Sequence, residues 1–147
     1  MVAGGDVDTT DFAFAPDGDR IAYLADQISD EHPELFLVDI SGPAPAAPVR
    51  RSPVLDTAVG PSVDNFSFSP DSSRIAMRGD FFIPNQIELA VSPVSAGSAQ
   101  VLNTALPIDG DVTFYEWRAD SRGILFEADM IANNDTEGWS IDLSAPN

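Results

Sequence analysis

The sequence predicts an all-β fold made of repeated antiparallel sheets, and three observations carry that expectation. A thirteen-residue motif recurs along the chain with offsets of 54 and 49 residues. Each copy is followed by further short runs of alternating apolar residues bounded by turn residues, while no segment keeps a helical period long enough to favour helix. Ten glycines and twelve prolines are spread along the whole chain, which punctuates it into many short elements. The length of 147 residues suits one ordinary domain, and a 44% hydrophobic content is enough to build a core.

The elements follow in order within each copy. Copy one reads Asp11-Phe12-Ala13-Phe14-Ala15-Pro16-Asp17-Gly18-Asp19-Arg20-Ile21-Ala22-Tyr23, and copy two reads Asn65-Phe66-Ser67-Phe68-Ser69-Pro70-Asp71-Ser72-Ser73-Arg74-Ile75-Ala76-Met77. The third copy is Tyr115-Glu116-Trp117-Arg118-Ala119-Asp120-Ser121-Arg122-Gly123-Ile124-Leu125-Phe126. In each, an aromatic-x-aromatic pair puts two large side chains on one face of a first strand. Pro-Asp-Gly or Pro-Asp-Ser then turns the chain: proline presets φ, and the aspartate can accept a backbone N–H two residues on. A second strand alternates, with Ile21 and Tyr23 facing one way and Arg20 and Ala22 the other. A third strand is expected at Glu34–Asp39, Ile87–Ser92 and Trp139–Leu143, and a short fourth strand at Pro48–Ser52 and Ala99–Asn103. Copy three reaches Asn147 before a fourth strand.

Four short antiparallel strands per repeat of roughly forty to fifty residues is the signature of a propeller blade. An eleven-stranded sandwich is the alternative, but it would not need the same aromatic pair at each position. The expected boundaries are about 8–55 for blade 1, 62–104 for blade 2 and 111–147 for blade 3, the last lacking its fourth strand. The motif Phe-x-Phe-x-Pro-Asp-Gly-x-Arg-Ile-Ala-Tyr, followed by Glu-Leu-Phe-Leu-Val-Asp, resembles the TolB-type, WD-repeat-like β-propeller repeat. Copies one and two resemble it almost completely; copy three departs, with Ala119 in place of the proline and Gly123 in place of the arginine. The opening Val2-Ala3-Gly4-Gly5-Asp6-Val7 is similar to the linker between such blades. The resemblance implies a binding platform, a ring of six to eight blades, and a periplasmic or extracellular setting. Fewer than three full blades then imply open end faces. The chain is expected to be a fragment of a longer protein, or to close a six-bladed ring as a homodimer, or to stand alone with a patched edge.

Charge narrows the partners. Twenty-four acids oppose seven bases, all arginine, for a net charge of −17, and aspartate outnumbers glutamate eighteen to six. A phosphate backbone or an anionic membrane surface would be repelled, so neither nucleic acid nor membrane insertion is expected. Solubility in salt and arginine-favouring coding account for such a surface, and cation binding is the other reading. Two chains of this charge repel at low salt, so self-association should strengthen as salt rises.

The candidate sites are few. Zero cysteines exclude disulfides, thiolate metal sites and cysteine nucleophiles. The one histidine, His32, sits in Asp30-Glu31-His32-Pro33, and no Gly-x-Ser-x-Gly elbow is present, so a serine triad lacks both base and elbow. With so many acids, paired carboxylates arise by chance and no catalytic pair is assigned. Asp6-x-Asp8-x-x-Asp11, Asp109-Gly110-Asp111 and Asn133-Asn134-Asp135-x-Glu137-Gly138 are oxygen-rich, but none matches a calcium-loop spacing, so no metal or cofactor is expected. Asp17, Asp71 and Asp120 recur in every copy, which points to a turn role. Functional residues on repeats vary between copies, so the loop after the second strand is the best binding candidate. It spans 26–33, 80–85 and 129–134, and Phe81-Phe82-Ile83 is unusually apolar for a loop. Those three residues either pack against a neighbouring blade or form a contact surface for a protein partner or a second copy. The leading function is a non-catalytic repeat scaffold for protein or ligand binding; the alternative is an accessory propeller of a larger enzyme such as a peptidase.

Overall fold

The computed structural model describes residues 9–28, 32–53, 62–83, 85–103 and 105–143. Among these the chain forms eleven strands and three antiparallel sheets. The first sheet runs in the order β1 (Thr9–Phe14), β2 (Arg20–Ala25), β3 (Glu34–Asp39) and β4 (Val49–Arg50). The second repeats it with β5 (Ser62–Phe68), β6 (Arg74–Asp80), β7 (Ile87–Pro93) and β8 (Gln100–Val101). The third has β9 (Val112–Trp117), β10 (Gly123–Ala132) and β11 (Asp135–Asp142). No helix occurs among the described residues. This is an all-β propeller segment of two four-stranded blades and one three-stranded blade.

The three first hairpins are built alike. Gly18, Ser72 and Ser121 each donate their N–H to the carbonyl three residues back, on Ala15, Ser69 and Arg118, at 2.9 Å. Each turn ends in left-handed backbone, with φ of 78, 60 and 58 at those residues. The aspartate before it accepts the N–H two residues on at 3.0 Å: Asp19 to Asp17, Ser73 to Asp71, Arg122 to Asp120. The recurring aspartates therefore do the work of Asx turns. Each hairpin also carries a register shift at the same place, between Thr9 and Asp11, Val63 and Asn65, and Glu127 and Ala128. A bulge there adds twist to the first strand. In blade 2 the bulge passes so close to Gly79 that an added Cβ would lie 2.1 Å from the Ser62 carbonyl oxygen.

The two expected fourth strands are shorter than their five-residue segments, with two paired residues each. One more backbone bond to the third strand follows each, from the Arg51 N–H to Leu35 O at 2.7 Å and from the Leu102 N–H to Leu89 O at 2.8 Å. The segment 129–134, expected to be a loop, is largely strand. β10 runs through Ala132, which pairs with Asp135 across a two-residue turn at Asn133-Asn134. Asn134 takes the left-handed conformation that the turn needs (φ 62), so apolar Met130 and Ile131 extend the strand instead of bulging into a loop.

Packing follows one rule at both joints. Opposed residues in an antiparallel pair share a face, so Phe66, Met77 and Ala90 share one, as do Phe68 and Ile75. This aromatic face of blade 2 packs on Ala13, Ala22, Leu24, Leu35 and Leu37 of blade 1. The aromatic face of blade 3, with Tyr115 and Phe126 and with Trp117, Ile124 and Ile141, packs on Ala76 and Leu89 of blade 2. Large side chains of one blade thus meet small and aliphatic ones of the blade before it, the interdigitation a dry sheet-on-sheet contact needs.

Polar groups tie the same joints. The Asp17 N–H donates to Ser72 Oγ, and the Asp71 N–H donates to Ser121 Oγ, both at 3.0 Å. The second joint has more such ties. Tyr115 Oη donates to the Ala76 carbonyl and Trp117 Nε1 to that of Ser67, each at 3.2 Å, while the Arg74 guanidinium reaches Leu143 O at 3.2 Å. Burial pushes the Tyr115 phenol up to about 12, although hydrogen bonding to Ser67 and the charge of Arg78 oppose it.

Candidate functional site

The loops after the second strands owe their shape to carboxylates that recur at fixed spacing. In blade 2, Asp80 Oδ2 accepts the Asn85 N–H at 2.7 Å, and Glu88 Oε2 accepts the Phe82 N–H at 2.8 Å. In blade 3, Asp129 Oδ2 accepts the Asn134 N–H at 3.1 Å, and Glu137 Oε2 accepts the Met130 N–H at 3.2 Å. Both asparagines are left-handed, at φ 64 and 62. Blade 1 keeps the same two acids at the same spacing, Asp26 and Glu34, and there buried Glu34 pairs with Arg50 at 2.9 Å. An aspartate followed eight positions later by a glutamate marks each loop. That spacing is a sequence signal for Glu34, Glu88 and Glu137, and it matches no catalytic or metal motif.

These acids shape the loops, and two of the glutamates do so against the cost of burial. Burial pushes the Glu88 carboxyl above its usual range, against the hydrogen bonds from the Phe82 and Phe81 backbone. Glu34 is likewise pushed up by burial despite Arg50, and its Oε2 has no hydrogen-bond partner among the described residues. Asp64 is raised by burial, with Arg78 opposing and the nearby charges of Asp80 and Asp111 adding to the rise. The acidic loop end has other fixed contacts: Asp111 Oδ1 accepts the Ile87 N–H at 2.7 Å, and Gln86 Nε2 donates to Pro107 O at 2.7 Å.

Within this frame the apolar triplet splits. Phe81 is 1% exposed and belongs to the core shared by blades 1 and 2, so it offers no surface for a partner. Phe82 and Ile83 are 52% and 47% exposed beside it. Their position follows from the local chain: Glu88 and Asp80 clamp the backbone on either side, Phe81 anchors it inward, and the next two side chains face solvent. Counted from the loop aspartates, Phe82 and Ile83 correspond to Ile28 and Ser29 in blade 1 and to Ile131 and Ala132 in blade 3. Ile28 and Ile131 are exposed too, so an exposed apolar residue recurs there. What belongs to blade 2 is an aromatic followed by a second large apolar side chain.

The remaining sequence candidates do not converge. His32 is half-buried in the loop before Glu34. Among the described residues no three His, Cys, Asp or Glu side chains form a metal-holding group. Asp109 and Asp111 flank a turn in which Gly110 donates to Pro107 O at 2.9 Å, and Asp111 is committed to Ile87. Asn133 and Asn134 form the hairpin turn described above, with Asp135 paired to Ala132. Asp6, Asp8, Asp30, Glu31, the opening 2–7 and the final 144–147 lie outside the described residues. Clefts open to the surface, among them two with carboxylates on their walls. One, of about 350 Å³, lies between blades 2 and 3 with Arg74, Gln100 and Asp142 on its walls. The other, of about 410 Å³, lies on the open side of blade 3 among Phe114, Glu116, Leu125 and Glu127. The second is lined by two exposed glutamates and by Ser140, and neither cleft has a histidine on its walls.

No protein-family model matches the chain, and no curated protein matches it. Among solved structures, the chain is similar to the β-propeller domain of the Trilobed protease from Pyrococcus furiosus, a domain described as having an open velcro topology. The TM-score is 0.58 and the identity 19%, over 93% of this chain and 39% of that one. The chain therefore spans well under half the length of the propeller it matches. At that identity the likeness speaks for the fold, and it agrees with the stacked sheets: this chain is a β-propeller segment.

Proposed function

We propose that the chain is a non-catalytic propeller scaffold of the TolB-type repeat class, and that the Phe82–Ile83 tip of blade 2 is a contact point for a protein partner. The observation that carries this reading is the contrast between recurring and non-recurring loop residues. The acids of the second-strand loops repeat from blade to blade, holding loop backbone in blades 2 and 3 and pairing with Arg50 in blade 1, whereas an exposed aromatic followed by a second large apolar residue occurs in blade 2 and not at the matching positions of the other two. A single ligand breaks the symmetry of a repeat, and exposed aromatic anchors are what partner surfaces use. The non-catalytic part rests on the chain's lone histidine, which lines neither cleft, and on the absence of cysteine; the two glutamates of the blade 3 cleft are exposed to water.

Panning a displayed peptide library against the purified chain tests the contact surface, with the variant Phe82→Asp/Ile83→Asp as counter-selection. Peptides that bind the chain and lose at least tenfold in affinity on the variant are expected; binders indifferent to it would overturn the surface assignment. Turnover of peptidase, esterase or glycosidase substrates by the pure chain would overturn the non-catalytic reading. A second reading is favoured by the likeness to a propeller domain of a protease: the chain would be the accessory propeller of a larger enzyme. The reading frame on either side separates the two, since a catalytic domain there favours the second and further repeats alone favour the first.

A further inference from the structure

Blade 2 has a blade on either side, so the apolar side chains that its loops leave in water are not waiting for another sheet to cover them. Phe82 and Ile83 come from the loop after β6. A third, Ile108, comes from the connection between β8 and β9, and at 85% it is the most exposed large apolar residue described.

The two segments are tight turns fastened to each other. The Gln86 N–H donates to Ile83 O at 3.0 Å and the Gly110 N–H to Pro107 O at 2.9 Å, with Asn85 and Asp109 left-handed at φ 64 and 60. Buried Gln86 joins the turns, its Nε2 donating to Pro107 O at 2.7 Å. Asp111 fixes the far side: its Oδ1 accepts the Ile87 N–H at 2.7 Å, and its carbonyl accepts the Asp129 N–H at 3.0 Å. Leu106 anchors the connection in the core between blades 2 and 3. Apolar side chains on turns held this firmly lose little freedom when a partner covers them.

The ground around the triplet is acidic and its cations are spent. Asp80 precedes Phe81 and Phe82, and exposed Asp109 follows Ile108. Burial raises the Asp64 carboxyl and Arg78 opposes it, while the charges of Asp80 and Asp111 add to the rise, so these acids crowd one another. Arg78 is turned to Asp64 at 3.9 Å and to the Thr113 carbonyl. Arg20, Arg74, Arg118 and Arg122 belong to the hairpin turns at the opposite end of the blades. Arg50 is paired with Glu34, and buried Arg51 donates to Val94 O.

Building on the contact point given to Phe82 and Ile83, we infer that its partner is a basic, apolar segment of another protein. Its apolar side chains cover Phe82, Ile83 and Ile108, and its arginines or lysines face Asp80, Asp109 and Asp111. An apolar centre within a charged rim is the ordinary anatomy of a specific contact. Here the rim has one sign, so it favours a cationic partner and turns away an acidic one.

Fluorescence anisotropy on the intact chain tests this with labelled synthetic peptides. The probe is a short peptide that alternates leucine or phenylalanine with arginine. One control carries citrulline for arginine, which keeps the shape and drops the charge; the other carries serine for the apolar residues. The variants are Ile108→Ser, Phe82→Ser/Ile83→Ser, Asp109→Asn and, at the opposite end, Asp19→Asn, each checked by circular dichroism. The arginine probe should bind about tenfold more tightly than either control, and lose about tenfold in each of the two apolar variants. Asp109→Asn should cost about threefold and flatten the salt dependence, while Asp19→Asn stays within about twofold of the parent at the same salt. A citrulline peptide that binds as well as the probe, and still depends on Phe82 and Ile83, would overturn the basic partner and leave the contact point standing. An unchanged affinity in Ile108→Ser would overturn the joint surface in the same way. Binding that ignores both apolar variants, or falls as much in Asp19→Asn as in Asp109→Asn, would be diffuse attraction to a chain of −17 and would overturn the inference. So would the absence of binding by all three peptides, and the contact point would then stand or fall by the library selection alone.

Discussion

Ser72 and Ser121 hold left-handed backbone, which costs a residue with a side chain roughly 1–2 kcal/mol. Each offsets that cost by accepting an aspartate N–H from the blade before it. Gly18 occupies the same turn position in blade 1 at φ 78, with open space where a Cβ would stand and no such donor to meet. The three residues therefore form a natural series. Ser72→Gly relieves the strain while losing the bond, so its stability should lie within about 0.5 kcal/mol of the parent. Ser72→Ala keeps the strain and strands the Asp17 N–H, and should lose about 1–2 kcal/mol. Gly18→Ser adds strain with no bond in return and should lose about 1 kcal/mol. Urea midpoints at fixed slope read all three, and an Ser72→Ala no worse than Ser72→Gly would remove the hydroxyl from the joint. The turn aspartates at 17, 71 and 120 were legible from sequence because their effect is local. The serines that follow them were not, since their partners lie 55 and 50 residues away in the chain. Phe81 and Phe82 are identical and adjacent, and only the packing of two blades tells them apart.

At the scale of the element, the blade hairpin was legible because its signals reinforce one another: aromatic alternation, the Pro-Asp turn and the answering alternation of the second strand. Where the signal was weaker the boundaries moved. The fourth strands shrank to two paired residues, and β10 overran its expected loop because a left-handed Asn134 makes a two-residue turn without glycine. The best-held hairpin turn is that of blade 2. Burial of Asp71 works against its charge, but donors from the Ser69 hydroxyl, the Ser73 backbone and the Ser73 hydroxyl outweigh it and hold the carboxyl at about 2. Its folded pKa lies below the unfolded value, so its stabilisation is full above about pH 4 and is lost as pH falls toward 2. Asp71→Asn keeps an acceptor oxygen and loses the charge. It should destabilise the chain by about 1 kcal/mol between pH 5 and 7, a figure already reduced for the exposure of the turn. The gap to the parent should close by about pH 2, as read in urea titrations at each pH. A gap that stays constant down to that pH would show that the charge is not what the serines hold.

For the whole molecule, charge and burial pull in one direction near neutrality. The chain carries −17 at pH 7, and among its acids Glu34, Asp64 and Glu88 are all raised by burial. A carboxyl whose folded pKa is raised binds its proton more tightly folded than unfolded. Stability therefore rises as pH falls through the folded value and levels off below the unfolded one. The repulsion among surface acids relaxes over the same range. Below it the trend reverses, because Asp71 then gives up the charge its turn is built around. The melting temperature should accordingly peak near pH 5, about two units below neutrality, and fall again below about pH 4. Salt should reproduce part of the gain. Screening at about 1 M shortens the reach of surface charges to about 3 Å, so sodium chloride at pH 7 should raise the melting temperature and flatten its rise between pH 7 and 5. The residue of that rise, what salt cannot remove, measures the buried acids, since their penalty is desolvation rather than long-range repulsion. Scanning calorimetry over pH at low and high salt separates the two contributions. A melting temperature that falls steadily from pH 7 to 5 in both salts would mean that the loop carboxylates are stabilised by their backbone donors more than burial penalises them. In that case Glu34 and Glu88 would be anchors of the blades at neutral pH rather than strained supports of the loops they shape.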